Sequence, residues 1–292
     1  MKIGITGVTG LIGRRCAALA RERGHEVIGF SRNPKRPGCR PFSTDEAPDV
    51  TGCDAILNLA GESVAGLWTP AKRRAIRDSR VLGTRRIVEA IRKADNPPRV
   101  LVNGSATGIY ADTGDAIAGE EAPHGSGFLA EVCEAWEAEA LQAAASGIRV
   151  VLLRTGMVLA RDGGALAAML PVFRLGLGGK LGSGRQWIPW IHIEDEAALA
   201  LATLENKTIQ GPLNATAPTP ARNADFTRAL AATLKRPAIL RVPAFALRLA
   251  TGGFSAELLE SRRIVPAAAS KAGYAFQFPA LDAVLDNLLG DR

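Results

Sequence analysis

Tyrosine, histidine and cysteine are all scarce in this 292-residue chain, at two, three and four residues. Cys16, Cys39, Cys53 and Cys133 form no CxxC pair, and His25, His124 and His192 stand far from them in sequence. The usual zinc spacings are therefore excluded, and no metal is expected. A disulfide framework has no support in so long a chain, so a reducing cytoplasm is the expected setting. Long apolar runs are missing too. Ala197–Leu204 stops far short of the roughly 18 apolar residues that a spanning helix needs, and no membrane partner is expected. No secretory leader is read, because Lys2–Gly7 already patterns as a first strand and turn. With 47% hydrophobic and 22% charged residues, the composition is that of a folded chain with a sizeable core rather than a disordered one.

Charge of one sign is in modest excess: 36 Lys and Arg against 29 Asp and Glu leave a formal +7. The cations fall into two local clusters, Arg32-Asn33-Pro34-Lys35-Arg36 with Arg40, and Lys72-Arg73-Arg74 with Arg77 and Arg80. Neither is interleaved with aromatics or set in a nucleic-acid motif, so no nucleic-acid partner is expected. A solvated helix face accounts for most of the second cluster.

What is present is an alternation of strands and helices. Strand patterns fall at residues 2–7, 26–30, 55–59, 100–103 and 149–154. A helix from Leu11 to about Arg23, a long polar helix from Pro70 to Lys93 and an acidic helix near Leu129–Ala145 lie between them. Right-handed crossovers then give a doubly wound, mostly parallel α/β sheet of the Rossmann kind. The pattern loosens after about residue 157. There a glycine-rich stretch, Gly176–Gly184, precedes a strand-like Trp187–Ile193, and helices and prolines dominate from about Ala221. The expected division is residues 1–220 as the nucleotide-binding domain, with substrate-lobe segments woven in from about 157, and residues 221–292 as a small, mainly helical C-terminal domain.

The strongest chemical signal is Thr6-Gly7-Val8-Thr9-Gly10-Leu11-Ile12-Gly13, placed between the first strand and the first helix. Gly7 permits the tight turn, Gly10 lets backbone approach a pyrophosphate, and Gly13 lets the helix pack closely on the strand. The helix N-terminus offers N–H groups and a positive dipole end to phosphate. At the end of the second strand, NAD would call for an Asp or Glu, whereas a 2′-phosphate favours Arg. The chain has Ser31-Arg32 there, with Lys35 and Arg36 behind and no carboxylate before Asp45. NADP(H) is therefore expected in preference to NAD(H), with Ser31 and Arg32 at the 2′-phosphate; a solvated basic turn is the plainer alternative.

These segments resemble the short-chain dehydrogenase/reductase superfamily in its NAD(P)-dependent epimerase-like branch. More narrowly, the chain resembles the YfcH-type epimerase family, whose members carry a small C-terminal domain of uncharacterised function. The resemblance rests on Thr6–Gly13, Ser31-Arg32, Asn58–Glu62, Ser105–Tyr110, Cys133–Glu137, Arg154–Leu159, Gly182–Gln186 and Pro189–Asp195, and it spans essentially the whole chain. Val8 stands where the family often has glycine. The resemblance implies that Thr9, Gly10, Leu11 and Ile12 line the pyrophosphate. It also implies that Leu59, Ala60 and Gly61, with Glu62 following, border the adenosine and the nicotinamide-side ribose, that Arg80 reaches the cofactor from the next helix, and that Ser105 ends its strand beside the nicotinamide. Gly176–Gly184 would be a mobile loop over a small-molecule substrate.

The Tyr-x-x-x-Lys pair of active short-chain dehydrogenases has no counterpart in this reading. Aligning Trp136-Glu137 on the helix that carries the pair puts Leu129 and Cys133 at its positions, and neither Tyr110 nor Tyr274 has a lysine four residues on. The catalytic group is thus unassigned. Ser105 could polarise a carbonyl or simply close its strand. Tyr110 could donate a proton, or pack and bond the backbone. Cys133 suits packing, and His192 with Asp195 reads as a strand-end hydrogen-bonding pair. Two functions follow: an NADP(H)-dependent reductase or epimerase-like enzyme of unknown substrate, or an NADP(H)-binding sensor or regulator without turnover. Oligomeric state is not legible.

Overall fold

The computed structural model describes residues 1–33 and 38–290. In chain order the first half runs β1 (Lys2–Thr6), α1 (Leu11–Glu22), β2 (Glu26–Ser31), β3 (Cys39–Pro41), β4 (Ala55–Asn58), α2 (Pro70–Lys93), β5 (Val100–Ala106) and α3 (Phe128–Leu141). It continues through β6 (Arg149–Thr155), β7 (Met157–Ala160), α4 (Gly164–Arg174), β8 (Gly179–Leu181), β9 (Trp187–Ile188), β10 (Trp190–His192), α5 (Ile193–Glu205) and β11 (Gly211–Ala215). The remainder is β12 (Ala221–Arg222), α6 (Asn223–Thr233), β13 (Leu240–Val242), α7 (Ala244–Thr251), α8 (Phe254–Leu259), α9 (Ala267–Lys271) and α10 (Leu281–Leu289).

Seven strands form one parallel sheet in the order β11-β6-β5-β4-β1-β2-β3. Buried on both faces, these strands read as near-continuous apolar runs, as in Ala55-Ile56-Leu57 and Val150–Leu153. On one face Ile3, Ile5, Leu57, Val102 and Leu153 pack with α1 and α5; on the other Phe30, Ile56, Leu101 and Leu152 pack with α2 and the end of α3. The strand order reverses between β1 and β4, which opens a crevice at their carboxyl ends. The expected doubly wound α/β fold is present.

Several elements differ from their sequence patterns. Trp187–Ile193 is not one strand: it splits into β9 and β10, and α5 begins at Ile193 with the His192 imidazole capping it, Nδ1 accepting from the Glu194 N–H at 3.0 Å. A cap ends extended structure where apolar periodicity alone suggests continuation. Gly176–Gly184 is not simply a loop, because β8 within it pairs in parallel with β13. His192 and Asp195 are not bonded to each other. The Asp195 carboxylate, 2% exposed, accepts from the Gln277 and Phe278 N–H groups, each at 2.8 Å, and so ties α5 to the C-terminal segment. The short β3 and the last sheet strand, β11, have no counterpart in the sequence pattern.

Candidate functional site

The β1–α1 turn is shaped by its glycines. Gly7 has φ +64°, and a side chain there would be pressed to 2.8 Å from the carbonyl oxygen of Leu59, just beyond β4. A Cβ on Gly13 would be driven into the Gly7 carbonyl. The turn closes through the Gly10 N–H donating to the Gly7 carbonyl at 2.8 Å. Gly10 is also the N-cap of α1 and supplies no side-chain cap, so the first N–H groups of that helix are left for a ligand. Thr9 and Gly10 are exposed, Leu11 and Ile12 half-buried. Val8 packs on β2, where its methyl would be 3.1 Å from a Cβ at Gly29, so the side chain is accommodated by a glycine on the facing strand.

The ends of β2 and β4 flank this turn. Ser31 is half-buried, its hydroxyl accepting from the Asn33 N–H at 3.1 Å, and Arg32 is exposed. Lys35 and Arg36 lie outside the described residues. Beyond β4, the Thr6 hydroxyl donates to Asn58 Oδ1 at 2.6 Å and accepts from the Leu59 and Ala60 N–H groups, each at 3.0 Å. The Asn58 amide continues to Thr84 and Asn103, locking the strand end from behind. Gly61 lies against the Arg80 guanidinium, which donates to the Glu62 carbonyl at 2.9 Å and stacks over Trp136 at 5.1 Å. Lys72, bonded to the Glu62 carboxylate at 2.7 Å, holds that carboxyl below its ordinary pKa, and Arg32 adds to the effect. Arg32 and Glu62 thus belong to one electrostatic neighbourhood, although 30 residues part them. Of the nominated residues, Gly7, Thr9, Gly10, Leu11 and Ile12 follow the end of β1, Ser31 and Arg32 the end of β2, and Leu59, Ala60, Gly61 and Glu62 the end of β4, with Arg80 reaching Glu62 from α2 and Gly13 buried beneath the turn.

Ser105 lies near the carboxyl end of β5 and is only 5% exposed. In register it stands beside Arg154 on β6, which stands beside Asn214 on β11. Onto this row come Glu137 from α3 and Tyr110 from the turn after β5. The Ser105 hydroxyl donates to Glu137 Oε1 at 2.6 Å, and Arg154 grips the same carboxylate through Nε at 2.9 Å and a terminal nitrogen at 2.8 Å. Burial alone would lower the Arg154 pKa; its bonds to Glu137 and Tyr110 more than reverse that. Tyr110 is fully buried. Its hydroxyl donates to Asn214 Oδ1 at 2.6 Å and accepts from Arg154 at 2.9 Å. Its partners are therefore side chains and not the backbone, and burial pushes its pKa up to about 12. Cys133 is buried on α3, and burial pushes its thiol up to about 12, as suits packing.

Sequence reasoning missed Glu137 and Arg154 as a pair. The available signal was Arg154 itself: an arginine ending the otherwise apolar run Val150–Leu153 needs a buried partner.

The crevice outside the carboxyl ends of a parallel sheet, with its glycine turn and uncapped helix, defines a Rossmann-type α/β protein. The profile of the NAD dependent epimerase/dehydratase family matches residues 3–215, and a domain of unknown function, DUF1731, matches residues 242–288. The chain belongs to the NAD dependent epimerase/dehydratase family. It is 38% identical to the epimerase family protein ML0860 of Mycobacterium leprae, over 94% of this chain and 91% of that one. Human epimerase family protein SDR39U1, whose crystal structure contains NADPH, superimposes with a TM-score of 0.93 at 36% identity, covering 99% of each chain. A nucleoside-diphosphate sugar epimerase from Corynebacterium glutamicum gives a TM-score of 0.83 at 34% identity, covering 99% of this chain and 58% of that one. No helix among the described residues is long and apolar enough to cross a membrane, and no cluster of potential metal ligands occurs among them.

Proposed function

We propose that this protein binds NADP(H) in the β1/β2/β4 crevice and acts on a small carbonyl or alcohol substrate as a reductase or epimerase-like enzyme. The observation that carries the reading is the pairing of the glycine turn and uncapped α1 with an exposed arginine, and no carboxylate, at the end of β2. The backbone at Gly7–Gly13 fits a pyrophosphate, because the space its glycines leave is space that side chains would fill. Arg32 fits a 2′-phosphate by charge and reach. The NADPH found with human SDR39U1 supports the same assignment. Four free cysteines suit a reducing, cytoplasmic setting.

When bound, the nicotinamide supplies a hydride acceptor or donor. The chain's own contribution is to hold protons and orientation around it. With its proton committed to Glu137, the Ser105 oxygen keeps lone pairs to accept a hydrogen bond from a substrate hydroxyl or from the cofactor carboxamide. Tyr110 supplies no proton, since its hydroxyl is saturated and buried. That saturation favours a second reading, a dinucleotide-binding regulator without turnover.

Paired titrations with NADPH and NADH test the assignment. NADPH should bind tightly and NADH weakly, and Arg32→Ala should weaken NADPH about tenfold while leaving NADH almost unchanged. Equal affinities in the parent protein would overturn the NADP(H) reading. Oxidation of NADPH against a carbonyl panel, compared with Ser105→Ala, separates the enzyme from the regulator.

A further inference from the structure

Two stretches of the later half contain no acidic residue at all: 163–193, between Asp162 and Glu194, and 226–256, between Asp225 and Glu257. The first carries Arg174, Lys180 and Arg185; the second carries Arg228, Lys235, Arg236, Arg241 and Arg248. In the fold the two stretches are joined. β8 from the first pairs with β13 from the second, the Gly182 N–H donates to the Val242 carbonyl at 2.9 Å, and Gly176 abuts Pro237.

These two stretches, with α7 following directly on β13, carry most of the exposed large apolar side chains among the described residues: Leu175, Leu177, Ile239, Leu240, Phe245 and Leu249. Three of them stand almost free of the protein, with Leu175 at 74%, Ile239 at 86% and Leu249 at 81% exposure. On α7, Phe245 and Leu249 lie four apart on one outward stripe, and Leu247 is the helix's buried residue. Exposed Arg174, Arg236, Arg241 and Arg248 alternate with these apolar residues along the two stretches. An exposed apolar patch of this extent marks a surface that meets something other than water.

The charge pattern selects the partner. A second copy docked on the same face would set arginine against arginine with no carboxylate from either stretch between them, because an isologous contact repeats its own patch. An anionic bilayer suits both components: apolar tips enter the headgroup–acyl boundary while the guanidinium groups stay at the phosphates. We propose that this face, built from the end of α4, β13 and α7, seats the protein on an anionic lipid surface. The chain lies on such a surface and does not span it, so the absence of a spanning helix does not oppose the contact.

Flotation of the full-length protein with vesicles of phosphatidylcholine, with or without about a quarter phosphatidylglycerol, tests the idea. The protein should float with the anionic vesicles and not the neutral ones, and detach as salt shortens the range of charge interactions. Arg248→Glu should lower partitioning about fivefold or more. Phe245→Asp and Leu249→Asp should abolish it, with melting temperature and NADPH affinity retained because neither side chain enters the core. Equal partitioning into both vesicle types, or no flotation at low ionic strength, would overturn the proposal. So would flotation unaffected by the α7 variants. Complete displacement by soluble polyglutamate would transfer the face to an acidic protein instead.

Discussion

Two carboxyl groups are buried on opposite faces of the same strand and solve the problem of burial differently. Arg154 and Thr155 are consecutive at the end of β6, so their side chains leave the sheet in opposite directions. On the α3 face Arg154 meets Glu137 in a bidentate ion pair, with Ser105 satisfying one carboxylate oxygen a second time. On the α5 face Thr155 meets Glu196, which is fully buried and has one hydrogen bond, from the Thr155 hydroxyl at 2.8 Å. Its other oxygen has no partner among the described residues. Desolvation pushes the Glu196 carboxyl up to about 8, against a smaller opposing effect of the Thr155 bond. One buried acid is held as half of an ion pair; the other is kept largely neutral at pH 7. A buried carboxyl is thus no uniform sign of a site, since its partners decide what it is.

The comparison breaks most sharply at Glu137. Glu137→Ala leaves Arg154 charged and stranded in the interior, and should destabilise the fold by about 3–5 kcal/mol in chemical denaturation. Removing Glu196 should act in the opposite direction. Its folded-state pKa lies above the unfolded one, so the unfolded chain releases its proton first and stability falls as pH rises from about 4.5 to about 8. Glu196→Gln should therefore be near neutral at pH 4 and more stable than the parent by on the order of 4 kcal/mol at pH 8. A stability gap independent of pH would show that Glu196 does not titrate in this range. The smallest effect is expected from Thr155→Val, which removes the one bond that eases Glu196. A loss of about 1 kcal/mol near pH 7 is expected, with a further rise in the Glu196 pKa that NMR titration would read.

The legibility of the molecule in its sequence follows the same divide between local and distant partners. The turn from Thr6 to Gly13 is legible because its physics is local: each glycine answers to backbone within a few residues or on the adjoining strand. The helix Pro70–Lys93 is legible for the same reason, with Thr69 capping it and proline at its first position. Arg32 could be nominated because a missing carboxylate is visible in a string of letters. The row Ser105–Arg154–Asn214 was not legible, since it is assembled by the register of three strands with long intervals of chain between them. Tyr110 shows the cost of that gap. As a letter it is a candidate proton donor; in place, its hydroxyl belongs to Asn214 and Arg154. Likewise β11 is a strand chiefly because β6 offers it an edge.

The Asp195 side chain reaches forward about eighty residues to the backbone N–H groups of Gln277 and Phe278. During synthesis the parallel sheet is made first, yet the acid in the first turn of α5 has no permanent partners until Gln277 and Phe278 emerge. The order of manufacture and the order of completion therefore differ. The sheet can collapse early, but the buried Asp195 side chain is settled only by backbone some eighty residues further on, which makes that segment a seal on the sheet rather than an appendix to it.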